Sequence, residues 1–176
     1  MTDAVATDGS PPPGSRGVGV SDRFQRVPRV PALPTVLFAD ASEDYRAMAK
    51  DALLEGRNAT DMRTVANGAE LLAYLASSPD PPSKLAPAPC LIVLDAELPG
   101  DPPGLEAVKA IKQDAGTRHI PVVALGTTDD PAAIGAAYAA GVNTYIVKPV
   151  TFLALVRLMK VFTAYWLETA ELPPSA

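Results

Sequence analysis

A chain of 176 residues, 48% hydrophobic with a formal net charge of −5, can hold one domain with a real core plus tails, and its acidity argues against nucleic acid as a partner. No apolar run approaches membrane-spanning length and no hydrophobic leader opens the chain, so no membrane partner is expected and the cytoplasm is the expected compartment. A lone Cys90 excludes an internal disulfide or a metal–thiolate cluster and reads as a small buried hydrophobe at a strand start.

Residues 1–34 carry six prolines and four glycines with little apolar periodicity, and read as a disordered leader. A folded unit is expected over 35–172, with a short tail at 173–176. It opens with the apolar run TVLFA, which stops at Asp40; Ser42 can then cap a helix carrying Tyr45, Met48, Ala49, Ala52 and Leu53 at helical spacing, ended by Gly56. TDMRTV alternates as a weaker strand, and Asn67 with Glu70 forms a capping-box-like start to a helix ending near Ser77. Five prolines over 79–89 require a loop. CLIVLD is a third strand ending on Asp95, followed by a helix over Gly104–Ala115. PVVALG is the fourth strand, and Asp130-Pro131 supply cap and first turn of an alanine-rich helix closed by Gly141. NTYIVK is the fifth strand, ending on Lys148, and Thr151 begins a long final helix.

That last helix places Phe152, Leu155, Val156, Met159, Phe162 and Trp166 at core-facing spacing. Leu158, Val161 and Tyr165 form a second apolar stripe, which predicts a homodimer through the final helix and the face of the fourth helix and fifth strand; lateral packing on a neighbouring helix is the other reading. His119 reads as a packing or surface residue, and Asp129-Asp130 as helix capping.

Five strands alternating with five helices predict an α/β sandwich around a mainly parallel sheet, in which runs such as LIVL are buried on both faces. Ligands of such sheets bind beyond the carboxyl ends of the strands, where Asp40, Asp95 and Lys148 all fall. Two carboxylates and one ammonium suit a divalent cation with a phosphoryl group. Mg²⁺ takes oxygen ligands and keeps several waters, a carboxylate can attack phosphorus in line, and a lysine serves as a point charge.

The motifs LIVLDAELPG around Asp95, VNTYIVKPV around Lys148 and HIPVVALGTTDDP at the fourth strand together resemble the receiver domain of two-component response regulators, the CheY-like fold. The resemblance implies a doubly wound five-stranded parallel sheet of order 2-1-3-4-5 and a signalling domain rather than an enzyme. It implies Asp95 as phosphoryl acceptor, Mg²⁺ held by Asp40, Asp95 and the backbone of Glu97, Lys148 as the phosphate-pairing lysine with a cis Lys148–Pro149 peptide, and Tyr145 as the aromatic switch. FTAYWLETAELPP is similar to the tail of single-domain regulators serving bacterial phytochrome histidine kinases, which implies such a kinase as partner; with no output module following Trp166, output is expected by protein contact or by competition for phosphoryl groups.

Two departures qualify the pattern. The acidic pair usual at the first strand end is Ala39-Asp40 here, which weakens metal binding unless Glu97 or Glu43 substitutes. The usual Thr or Ser switch position is Gly126, and Thr127 is one residue displaced, which on a strand reverses side-chain direction. The loop GDPPG also holds one extra residue beside the acceptor. These leave a binding module independent of phosphorylation as the alternative. A haloacid-dehalogenase-type phosphatase, imitated by Asp95, Glu97, Thr127 and Lys148, is a weaker alternative, because its nucleophile strand normally opens the domain and a cap is expected.

Overall fold

Strands and helices alternate over the residues that the computed structural model describes, 33–55, 59–77 and 86–172. They run β1 (Thr35–Ala39), α1 (Glu43–Glu55), β2 (Asp61–Val65), α2 (Gly68–Ala76), β3 (Leu91–Asp95), α3 (Gly104–Gln113), β4 (Val122–Gly126), α4 (Pro131–Ala140), β5 (Thr144–Val147) and α5 (Phe152–Thr163). The proline-rich leader up to residue 32, the stop at Gly56 and the tail 173–176 lie outside the described residues. Among the described residues no helix is long and apolar enough to cross a membrane.

All strand pairs are parallel and the order is β2-β1-β3-β4-β5, the doubly wound CheY-like arrangement that was expected. β1 and β4 are buried at every residue, and β3 is buried until Asp95. Alternation of side chains along the strands splits the core in two. Val36, Phe38, Leu91, Val93, Val123 and Leu125 pack with Ala49 and Ala52 of α1 and with Leu155, Val156, Met159 and Phe162 of α5. Leu37, Ala39, Ile92, Leu94, Val122 and Ala124 face Leu71, Val108, Ile111 and Ala137 of α2, α3 and α4. Each fully buried aliphatic side chain contributes about 1.5–3 kcal/mol, so these opposed layers dominate the stability.

Local chemistry sets the helix ends. Asn67 Oδ1 accepts from the Glu70 amide at 2.9 Å, and the Glu70 carboxylate accepts from the Ala66 amide at 2.8 Å. Ser42 Oγ accepts from the Tyr45 amide, Asp130 Oδ2 from that of Ala133 and Thr151 Oγ1 from that of Ala154. Gly141 closes α4 at φ 104°, a conformation only glycine adopts cheaply. α3 stops at Gln113, short of Ala115, because Asp114 leaves the helix and its carboxylate accepts from the Gly116 and Thr117 amides. Beyond it, Lys112 Nζ donates to Ile120 O at 2.7 Å and to Asn143 Oδ1 at 3.2 Å, while Asn143 Oδ1 also accepts from the Val122 amide at 2.8 Å.

The final helix departs from expectation in two places. Phe152 is 46% exposed rather than core-facing, because it sits at the first position of α5, a turn ahead of Leu155, the first residue of the helix to reach the core. The chain does not continue as α-helix to Trp166 but widens into a π-helical turn over Ala164–Thr169. In the second stripe, Leu158 packs against the α1/α5 core, whereas Val161 and Tyr165 stay 69% and 56% exposed.

Candidate functional site

The carboxyl ends of β1, β3 and β5 bring three distant residues to one point. Lys148 Nζ lies 2.6 Å from Asp40 Oδ2 and 2.8 Å from Asp95 Oδ2. Asp40 is 1% exposed, so without this ammonium its charge would be buried unpaired. The outer oxygens are held too: Asp40 Oδ1 accepts from the Ser42 amide and Asp95 Oδ1 from the Glu97 amide, both at 2.9 Å. Arg46 Nη1 donates to the Asp40 carbonyl and fixes the strand end from the α1 side. Burial works against the Lys148 charge, but the hydrogen bonds and charges of Asp40 and Asp95 outweigh it, and the pKa is raised above the usual lysine value.

Tyr45 completes this cluster. Its ring centroid lies 4.2 Å from Lys148 Nζ, its hydroxyl donates to the Pro149 carbonyl at 3.4 Å, and its ring stacks on Phe38 at 6.3 Å. Burial, with the nearby charges of Asp40 and Asp95, pushes the phenol pKa far up, so the ring stays neutral. In the sequence Tyr45 is one of several residues at helical spacing; its aromatic type one turn after the Asp40 strand end was the only available signal.

The other expected residues are distributed around the cluster. Glu97 keeps its carboxylate outside, accepting from Thr127 Oγ1 at 2.7 Å. Thr127, the residue after β4, is exposed, and its hydroxyl donates to Glu97 rather than to Asp95. Gly126 is buried, and the Tyr145 side chain fills its missing place. A Cβ there would collide with the Tyr145 hydroxyl and ring, with Cε2 at 2.7 Å. The Tyr145 hydroxyl donates to Thr128 O at 2.7 Å, which holds the ring inward. The expected cis Lys148–Pro149 peptide is not found; the cis bond among the described residues is Asp101–Pro102. The trans form is the lower-energy one for an X–Pro bond, and from it Lys148 reaches both carboxylates.

Asp40 and Asp95 offer two carboxylates whose Oδ2 atoms already share one cationic partner, which fits a hard ion that keeps most of its waters. Ala39, where a further acid would be usual, is fully buried in the α2/α3/α4 core, and Glu43 is exposed in the first turn of α1. Among the described residues no three acidic, His or Cys side chains group as a metal cluster.

A sequence model of the response regulator receiver domain matches residues 36–160. The chain is 36% identical over 88 residues to the response regulator Rcp1 of Synechocystis, an alignment spanning 50% of this chain and 59% of Rcp1, so the chain spans little more than half the length of that curated relative. Among solved structures, the phosphorylated cyanobacterial phytochrome response regulator RcpA is 31% identical with a TM-score of 0.72, over 81% of this chain and all (100%) of RcpA. The Mn²⁺-bound form of Rcp1 is 27% identical with a TM-score of 0.69, over 80% of this chain and 99% of that one.

Proposed function

The chain belongs to the response regulator receiver domain family, and from that premise we propose that it accepts a phosphoryl group on Asp95. It is related to phytochrome response regulators, and the donor proposed is a phosphohistidine of a histidine kinase of the bacterial phytochrome class. The observation that carries this reading is the Lys148 ammonium held between the Asp40 and Asp95 carboxylates.

In the reaction, an Asp95 carboxylate oxygen forms the new O–P bond as the N–P bond of the donor imidazole breaks. The electron pair stays on the imidazole nitrogen, which then takes a proton from solvent. The Glu97 amide and Lys148 hold the carboxylate in a fixed orientation before the donor arrives. Lys148 stands ready to pair with an oxygen of the transferred group as a point charge. Asp40 and Asp95, with the backbone of Glu97, are the residues proposed to hold Mg²⁺, which when bound would neutralise charge on the phosphoryl oxygens. The Mn²⁺-bound form of Rcp1 supports a divalent ion in this setting. Output is proposed to be a protein contact, with self-association through the final helix and the face of α4 and β5, where Val161 of α5 and Tyr165 of the following π-helical turn are exposed.

A second reading, a binding module independent of phosphorylation, is favoured by two observations: Ala39 offers no second acid, and Tyr145 already occupies the place above Gly126. Intact mass after incubation with acetyl phosphate and Mg²⁺ separates the two. The acceptor reading expects one phosphoryl adduct, lost in Asp95→Asn; no adduct on the wild-type chain at millimolar metal overturns it.

A further inference from the structure

We propose that Tyr45 is a positioning residue for Lys148: its ring face fixes the third direction of the ammonium while Asp40 and Asp95 take the other two. The inference rests on the acceptor reading above and deepens it. A lysine ammonium has three donors and no acceptor, and two of its directions are spent on Asp40 Oδ2 and Asp95 Oδ2. The third would face water or an unfilled space, yet Lys148 is only 15% exposed. The electron-rich face of Tyr45, 4.2 Å away, fills that requirement.

The ring is itself anchored against drift. Phe38, 2% exposed in β1, stacks beneath it, and the Tyr45 hydroxyl holds the carbonyl of Pro149, the residue after Lys148. The ring face thus holds the lysine head, and stacking on Phe38 keeps the ring in place; the 3.4 Å bond to Pro149 is a long, weak addition. This matters at the moment Asp95 changes from a carboxylate to an acyl phosphate. Its carboxylate oxygen then no longer holds Nζ as before, and the ammonium must keep its place to meet the phosphoryl oxygens instead.

The test uses the full chain and the variants Tyr45→Phe, Tyr45→Leu and Tyr45→Met. The first keeps the π-face; the other two replace it with apolar bulk. Phosphoryl uptake from acetyl phosphate with Mg²⁺ is followed by intact mass, and urea midpoints show that each variant is folded. In parallel, the Lys148 side-chain methylene resonances, assigned by their absence in Lys148→Arg, report the ring current of Tyr45. The expected result is an upfield-shifted Lys148 signal in wild type and Tyr45→Phe, lost in Leu and Met, with uptake slowed about 3- to 30-fold only in the latter two. Uptake in folded Leu and Met variants equal to wild type, or a wild-type Lys148 signal without ring-current shift, overturns the proposal. A wild-type chain that gains no phosphoryl group overturns the acceptor reading and the rate effect with it, whereas the ring-current signature still decides whether the ring holds the ammonium.

Discussion

Gly126→Ala should change sign with its neighbour. In a strand interior, alanine in place of glycine is ordinarily favourable by about 0.5–1 kcal/mol, because glycine loses more chain entropy on folding. Here the new methyl would run into the Tyr145 hydroxyl and ring. If the ring stays, the overpacking costs about 1–3 kcal/mol. If it swings out, the Tyr145-to-Thr128 hydrogen bond is lost, at a net cost of about 1 kcal/mol, together with part of the ring's burial. Either route exceeds the entropic gain, so Gly126→Ala alone is expected to destabilise by about 1–2 kcal/mol. In a Tyr145→Ala background the obstacle is gone, and the same substitution should stabilise. The cycle therefore carries a coupling of about 2 kcal/mol, well above the error of additive pairs. Urea unfolding followed by the fluorescence of Trp166 measures all four chains. A stabilising Gly126→Ala in the wild-type background, or the same sign in both backgrounds, refutes the fit of ring to glycine.

Lys148→Met should leave the buried Asp40 carboxylate beside Asp95 without a counter-charge, at a cost of about 3–5 kcal/mol in the urea midpoint, partly recovered by Mg²⁺. Lys148 and Tyr45 both bind their protons more tightly folded than unfolded. Their contribution is thus whole below their ordinary values of 10.5 and 10.0 and is lost as pH rises through the folded-state values. Stability should fall above that range, and less steeply in Tyr45→Phe, as alkaline urea titrations would show. Asn143→Ala should cost about 1–3 kcal/mol in thermal melts, because the Val122 amide and the Lys112 ammonium both lose an acceptor. Val161→Arg with Tyr165→Glu should abolish the proposed self-association, giving a smaller mass than wild type by light scattering; equal masses would remove that interface.

Much of this fold is legible along the chain because its signals are local. The runs VLFA, LIVL and VVAL are buried on both faces, and their short length between turn signals points to parallel strands. Asn67, Asp130 and Thr151 cap helices through bonds that span three residues. The meeting of Asp40, Asp95 and Lys148 followed from strand ends sharing one rim. What escaped was decided through space. Tyr45 looks like one more apolar position until α1 lays it against Lys148, 103 residues later in the chain. Gly126 announces a missing hydroxyl, but only the packed sheet shows Tyr145 in its place. Phe152 keeps the right period yet lies too early in its helix to reach the core.

The two borders of the sheet differ in what they offer to a further strand. β2 closes one border with the Arg63–Asp61 ion pair at 2.9 Å and the exposed Thr64, a charged margin that discourages another strand from zipping on. β5 closes the other with only four residues, its Val147 half in water. So short a margin is a poor template for ribbon-like stacking. Val161 and Tyr165 can therefore stay exposed near the C-terminal end of the chain without the rims of the sheet adding a template for fibre growth.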